Sequence, residues 1–264
     1  VILGPIITPQ LVEPIGVANL LLVGGGLLLL VIFCSRRLEA AVRDLQSDPN
    51  FQAASASKQK NPVGGGMFDG FTLLFKSSYL GGIGLWVFLL SFCGTVLYFV
   101  QAEVVSNAAT DAAQRTRIFA TIQMWVGIVS LVMQLCATGR IIPKIGVGPA
   151  AALLPIVFVI GFVILAISPV LLVVAGFQAL QRATNFGIAN LARESLWTVV
   201  SREEKFKAKN IVDGTVFRGA DAVNAWIFNL MNALLSLPVI AGVTALVSVG
   251  WALLSLALGR TQER

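Results

Sequence analysis

The sequence contains no histidine among its 264 residues, and only 12% of its side chains are charged. The lack of histidine excludes Ser-His-Asp catalysis, imidazole acid–base catalysis and histidine-ligated metal sites. The three cysteines lie in or beside apolar runs at spacings that match no metal motif. The triple glycines at 24–26 and 64–66 lead into no Gly-Lys-Ser/Thr element, so neither is a phosphate-binding NTPase loop. We therefore expect no enzyme activity, no catalytic residue, no cofactor and no metal.

Apolar residues are abundant instead. The chain is 56% hydrophobic and carries 25 glycines in addition. A soluble domain is about 45–50% apolar with glycine included, and about 25% of its residues are charged. This composition excludes a disordered chain, a nucleic-acid-binding domain and an ordinary soluble enzyme. It predicts a polytopic membrane protein whose principal partner is the lipid bilayer.

Seven apolar runs are each long enough to cross about 30 Å of hydrocarbon as a helix. They are Ile15–Cys34, Tyr79–Val100, Ile118–Thr138, Gly146–Ile167, Val170–Val200, Ile211–Leu237 and Val239–Leu258. Because lipid supplies no partner for backbone N–H and C=O groups, and the runs do not alternate as barrel strands do, helices are expected. The predicted fold class is an all-α membrane helix bundle, with buried helices of a soluble protein as the disfavoured alternative.

The distribution of lysine and arginine predicts the orientation of these spans. If residues 36–78 are cytoplasmic and the helices alternate, fifteen cations lie on the cytoplasmic side, two on the other side and two within spans. The fifteen are Arg36, Arg37, Arg43, Lys58, Lys60, Lys76, Arg140, Lys144, Arg193, Arg202, Lys205, Lys207, Lys209, Arg260 and Arg264. The two are Arg115 and Arg117. This asymmetry accounts for the net charge of +6 without a nucleic-acid partner.

The chain begins at Val1 within an apolar stretch, so we expect a fragment that lacks an N-terminal half. Residues 1–34 are predicted to be the end of that half, and 35–78 a cytoplasmic linker. Residues 79–258 then form a six-span half, followed by a cytoplasmic tail at 259–264. Within the linker, one apolar stripe (Leu38, Val42 and Leu45) predicts a surface helix. A second stripe (Met67, Phe71, Leu74 and Phe75) predicts an interfacial helix.

Charged residues within spans are costly and mark functional sites by default. The fifth run places Arg182, Asn185 and Arg193 near one helical face. The sixth run contains Lys209 and Asp213 at i, i+4 spacing. It continues with Arg218 and Asp221 at i, i+3 spacing, and Asn224 follows at i+3.

Two interpretations of these residues remain open. Because the two spans run in opposite directions, matched depth predicts ion pairs of Arg182 with Asp221 and of Arg193 with Asp213. Such pairs would lock the helices together. The planar fork of arginine also suits phosphate or carboxylate recognition. Substrate-binding candidates are therefore Arg182, Asn185, Arg193, Arg218, Asp221 and Asn224. The residue chemistry does not choose between salt bridge and anion site.

Two segments resemble known transporters. GRIIPKIGVGP (Gly139–Pro149) resembles a degenerate form of a cytoplasmic loop motif of the major facilitator superfamily, matched at Gly139, Lys144 and Gly146. The stretch from Arg182 to Trp226 is similar to the ATP/ADP antiporter (nucleotide translocase) branch and its bacterial relatives. Its Arg-Glu-x-Leu, Glu-x-Lys-Phe-Lys-Ala-Lys-Asn and Arg-Gly-x-Asp elements carry that likeness. The similarity extends over Gly66–Leu258.

This resemblance implies twelve helices in two pseudo-symmetric halves, a central cavity, and alternating access. We therefore expect a secondary transporter of the bacterial inner membrane that moves an anionic solute such as a nucleotide. The alternatives are a non-transporting structural or sensory membrane protein, or a half that is inert without its partner half.

Overall fold

The computed structural model describes residues 3–46, 69–109 and 111–262, and every regular element among them is helical. The helices are α1 (Leu3–Gln46), α2 (Asp69–Lys76), α3 (Ser78–Ala108), α4 (Ala112–Ile145), α5 (Val147–Ile167), α6 (Leu171–Thr184), α7 (Asn190–Leu196), α8 (Arg202–Asn210), α9 (Phe217–Leu234) and α10 (Leu237–Gln262). Two π-helical turns, π1 (Asn185–Ala189) and π2 (Ile211–Val216), join α6 to α7 and α8 to α9. The predicted all-α membrane bundle is confirmed.

Five described helices are long and apolar enough to cross a membrane. They are Leu21–Glu39 within α1, Ser78–Ala108, Ala112–Gln134 within α4, Val147–Ile167 and Leu237–Gln262. The other two predicted spans correspond to continuous helical segments at 171–196 and 202–234, each interrupted by its π turn. These two segments contain the charged residues noted above, so composition alone does not identify them as spans.

Two helix boundaries differ from those expected. The predicted surface helix after Arg37 is the continuation of α1, which runs to Gln46 and is broken only at Gly16, where φ is 75°. The predicted loop after Gly139 is mostly helical, because α4 continues to Ile145. The chain then turns at Gly146 alone, at a φ of 83°. Only glycine adopts such a positive φ without strain, which explains the residue found there.

The short helix α2 packs on the bundle with one face and leaves the other exposed. Leu74 is buried, Phe71 packs against the core, and Phe75 is 90% exposed. Phe75 therefore points away from the protein, as the predicted interfacial helix requires. Residues 47–68 of the linker, which include Met67 of the predicted stripe, lie outside the described residues.

The core is formed by α3, α5, α6, α9 and α10. Trp86 of α3 packs edge-on against Trp251 of α10, with ring centroids 5.3 Å apart, and donates its indole N–H to Ser255 Oγ at 2.9 Å. Phe99 of α3 stacks on Phe228 of α9 at 4.6 Å. By contrast, α1 packs on α4 and exposes its apolar residues from Leu21 to Phe33.

The tightest helix crossing joins α5 to α10 through two glycines. A Cβ added to Gly259 would lie 2.1 Å from Gly148 Cα, so the two backbones are in direct contact. Small residues permit such close approach in membranes, where helix association depends on van der Waals packing. This crossing fixes the ends of α5 and α10 against each other.

We expect Gly259→Ala to lower the thermal stability of the protein in detergent, because its methyl group has no room. Overpacking of this kind costs about 1–3 kcal/mol. The matched control is Gly250→Ala on the same helix, where nothing lies within 4 Å of the added Cβ. An equal melting temperature for the two variants would contradict the close crossing.

Candidate functional site

The two charged helical segments share an uncommon feature, since each contains a π turn. The π1 turn begins at Asn185, three residues after Arg182, and π2 contains Asp213. A π turn replaces the i→i+4 pattern by i→i+5 and occurs frequently at functional sites. The sequence carries no recognised signal for this turn, and its apolar runs predict uninterrupted spans. The candidate site is therefore the set of polar side chains that these two segments bring to the bundle.

Two ion pairs join the segments close to the loop between them. Arg193 Nη1 lies 3.4 Å from Asp213 Oδ1, and their side chains are 18% and 34% exposed. Lys209 Nζ pairs with Glu194 Oε2. We call these the basic-end ion pairs, because Lys76, Lys144 and Arg260 lie at the same end of the bundle.

Lys209 therefore pairs across to α7, and no Lys209–Asp213 ion pair is present between these two described residues. Their i, i+4 spacing in the sequence does not lead to a contact, and Lys209 contacts the other segment instead. The π2 turn begins at Ile211, between the two residues. Because a π turn widens the helix, residues four apart no longer stack above one another. Asp213 therefore remains available to pair with Arg193.

Arg182 and Asp221, expected to pair, do not form an ion pair in the described chain. Asp221 Oδ1 instead accepts a hydrogen bond from Ser91 Oγ of α3 at 2.6 Å. Gln178, one turn before Arg182, donates from Nε2 to Gln101 Oε1 of α3 at 2.6 Å. Ser91 and Gln101 lie ten residues apart on α3, and Arg182 lies four residues beyond Gln178 towards the depth of Ser91. Arg182 and Asp221 therefore differ in depth by about 9 Å.

The helix between them explains this difference. α3 packs against both α6 and α9, and α9 packs chiefly on α3. The predicted pairing of Arg182 with Asp221 requires the fifth and sixth spans to face each other along their whole length, whereas they approach at the basic end. The partners on α3 were missed for the same reason. Ser91 and Gln101 are buried polar residues in an apolar span, and only their polarity marks them.

The remaining polar side chains of the site form no ion pair among the described residues. Arg182 is partly buried and has no ion-pair partner within the described residues. Asn185 Oδ1 and Asn224 Oδ1 are buried without a hydrogen-bond partner. Arg218 is exposed on α9, one turn before Asp221, without an ion pair to it. An arginine and an amide thus remain available beside the π1 turn.

Two pockets lined by described residues contain neither Arg182 nor Asp221 in their walls. One, of about 410 Å³, lies between α2 and α8, where Lys76 and Lys207 face Glu203 and Glu204. The other, of about 490 Å³, lies between α4 and α6 around Trp125. Within the described part of the chain, no three His, Cys, Asp or Glu residues cluster as metal ligands would.

The fold and the lengths of its apolar helices are those of a polytopic membrane protein. A family model described as TLC ATP/ADP transporter matches residues 12–261, and the chain belongs to this family. The match confirms the expected likeness to ATP/ADP transporters and extends it into α1. Neither the curated proteins nor the solved structures include a match to this chain.

The Arg193–Asp213 pair yields a stability prediction. Asp213→Ala leaves the arginine partly buried without a counter-charge, and we expect a loss of about 1–2 kcal/mol in thermal unfolding, less than for a fully buried pair. Exchanging the charges (Arg193→Asp with Asp213→Arg) should restore most of it.

The matched control is the i, i+4 pair of Lys207 with Glu203, which is more exposed and should contribute about 0.5 kcal/mol or less. A double-mutant cycle on each pair measures the two coupling energies. Equal coupling energies would mean that the Arg193–Asp213 contact between segments contributes no more than a surface pair.

Proposed function

We propose that this protein exchanges ATP and ADP across a membrane by alternating access. The observation that carries the proposal is the family match over residues 12–261, which includes both charged segments. Residues 79–258 would act as one six-span unit beside a second such unit, as in the major facilitator superfamily. The basic end would face the cytoplasm of a bacterial cell, in keeping with the positive-inside rule.

Arg182 is the proposed phosphate-binding residue. It lies within the 171–196 segment, is partly buried, and has no carboxylate partner in the described chain. The guanidinium presents two parallel N–H donors to one phosphate group and keeps its charge at every physiological pH. Asn185 lies one turn further on and supplies an amide whose Oδ1 is still unpartnered. A nucleotide phosphate would supply the counter-charge that Arg182 lacks among the described residues.

The basic-end ion pairs are the proposed gate. Both connect the 171–196 segment to the 202–234 segment, so separating the segments breaks both at once. Arg193 Nε and Asp213 Oδ1 are buried without a hydrogen bond, although the two charges are in contact. An ion pair with incomplete hydrogen bonding repays little of its desolvation cost and is easier to open. The adjacent π turns are suited to serve as hinges.

A static structural role is the second candidate. Arg193 and Lys209 are already paired between helices, which is the arrangement expected of charges that only hold a bundle together. Arg182 distinguishes the two functions, because a purely structural arginine within a span requires a counter-charge. The test therefore concerns Arg182 in a transport assay.

Arg182→Ala in the full-length protein should reduce ATP/ADP counterflow into liposomes by about ten- to a hundredfold in kcat/KM, the equivalent of one charge-assisted hydrogen bond. Arg182→Lys should retain an intermediate rate, since lysine keeps the charge but loses the fork. Arg260→Gln, an exposed cation at the end of α10, serves as the control. Counterflow that survives Arg182→Ala unchanged would remove the arginine from the substrate site.

A further inference from the structure

We propose that the cleft between α2 and α8 binds the headgroup of phosphatidylethanolamine, a phospholipid with one phosphate and one primary ammonium group. The cleft lies at the basic end of the bundle and has a volume of about 410 Å³. Its walls are formed by six residues, namely Thr72, Leu73, Lys76, Glu203, Glu204 and Lys207. The occupant comes from the lipid bilayer and is not the transported solute, so this inference does not depend on the proposed exchange of nucleotides.

Both helices lie where a span enters the membrane. α2 is separated from the span α3 by Ser77 alone, and α8 leads through π2 into α9. Each carries an exposed phenylalanine next to a lysine of the cleft. Phe75, beside Lys76, is 90% exposed, and Phe206, beside Lys207, is 50% exposed. Apolar residues of amphipathic helices insert at the boundary between headgroups and acyl chains. The cleft is therefore placed at the depth of the lipid headgroups.

A close contact between α2 and α8 holds the two walls of the cleft together. A Cβ added to Gly70 would lie 2.7 Å from the Lys207 carbonyl oxygen and 2.5 Å from Ile211 Cδ1. Because glycine has no Cβ, α2 approaches α8 more closely than another residue would allow. The helices that carry the charged side chains are thus already in contact without a ligand, and the headgroup does not have to assemble the site.

The charges in the cleft match a zwitterion better than an anion. The two lysines and two glutamates of the lining sum to zero charge. Lys207 Nζ pairs with Glu203 Oε1 at 2.7 Å, whereas neither Lys76 nor Glu204 belongs to an ion pair within the described residues. One cation and one carboxylate therefore remain for a ligand of both signs. A nucleotide or an anionic lipid would instead bring negative charge towards two glutamates.

Lys76 is the proposed contact of the lipid phosphate, and Glu204 is that of the ammonium group. Lysine binds phosphate as a point charge, and a primary ammonium has three N–H donors for carboxylate oxygens. Glu204 Oε2 accepts a hydrogen bond from Ser201 Oγ at 2.7 Å, and Ser201 is the N-cap of α8. This bond orients the carboxylate but uses only one of its roughly four acceptor positions. Glu204 therefore retains acceptors for the ammonium.

The lining also distinguishes ethanolamine from choline. The quaternary ammonium of choline has no N–H donor and is typically recognised by an aromatic cage. The six residues that line the cleft include no aromatic side chain. Hydrogen bonds to the two glutamates favour a primary ammonium instead. We therefore expect phosphatidylethanolamine to bind more tightly than phosphatidylcholine with the same acyl chains.

Native mass spectrometry of the full-length protein tests this preference. The protein in detergent is mixed with equal amounts of phosphatidylethanolamine, phosphatidylcholine and phosphatidylglycerol with identical acyl chains, and the retained lipids are counted. Phosphatidylethanolamine should be retained about three- to tenfold over phosphatidylcholine, the gain from one or two partly exposed charge contacts. Equal retention of these two lipids would overturn the proposal. Strongest retention of phosphatidylglycerol would also overturn it, because the site would then select negative charge.

Two variants separate the roles of the charged residues. Glu204→Gln keeps an oxygen that accepts from Ser201 but removes the charge, so the preference for ethanolamine over choline should disappear. Lys76→Gln should lower the retention of both zwitterionic lipids, because both contain the phosphate, and Lys76→Arg should restore it. The charge-matched controls are Glu39→Gln on α1 and Lys144→Gln on α4. Both residues are exposed and lie outside the cleft, so these variants should behave as the wild type.

An ethanolamine preference that survives Glu204→Gln would place the selectivity elsewhere and refute the site. Cross-linking of the wild type covers the case in which a variant does not fold. Phosphatidylethanolamine with a photoreactive group near its headgroup should label peptides that contain residues 69–76 or 202–210, the two helices of the cleft. An excess of the unmodified lipid should reduce this labelling. Labelling confined to other peptides would exclude the cleft.

Discussion

Lipid offers no hydrogen-bond partner, so each polar side chain within a span must find one in the protein or in a water-filled space. α3 is the helix that meets this requirement for its neighbours. Its buried Gln101 receives Gln178 of α6, and its buried Ser91 lies between Asp221 and Asn224 of α9. The positions of both charged segments relative to the bundle depend on these contacts. Arg182 differs from these residues, because no described residue provides it with a counter-charge.

The apolar runs were sufficient to predict an all-α membrane bundle, and five of them correspond to described helices long and apolar enough to cross a membrane. A run of about twenty apolar residues is long enough to cross the bilayer as a helix, so its composition is sufficient to predict its secondary structure. The Arg193–Asp213 contact was also accessible, since two residues near a short connecting loop must lie at similar depth. Its 3.4 Å separation agrees with that reasoning.

The π turns could not be predicted, because they depend on how each helix accommodates its neighbours rather than on local propensity. The π turns also change which charged residues pair at the site. The turn at Ile211 changes the register between Lys209 and Asp213, and Lys209 pairs with Glu194 instead. Similarly, the separation of Arg182 from Asp221 follows from the insertion of α3 between α6 and α9. Equal depth in the membrane predicts an ion pair only between helices that are in contact. Which helices are in contact depends on the packing of the whole bundle.

The bundle combines two kinds of helix contact with different tolerance for movement. α5 and α10 meet through the backbones of Gly148 and Gly259, and such a contact loses its packing energy with any displacement. The charged segments meet through long side chains whose ion pairs are partly exposed and incompletely hydrogen-bonded. Displacement there replaces a weak protein contact by water at modest cost. Under the proposed alternating access, the close α5–α10 contact would belong to the rigid frame, and the 171–196 and 202–234 segments would be the part that moves.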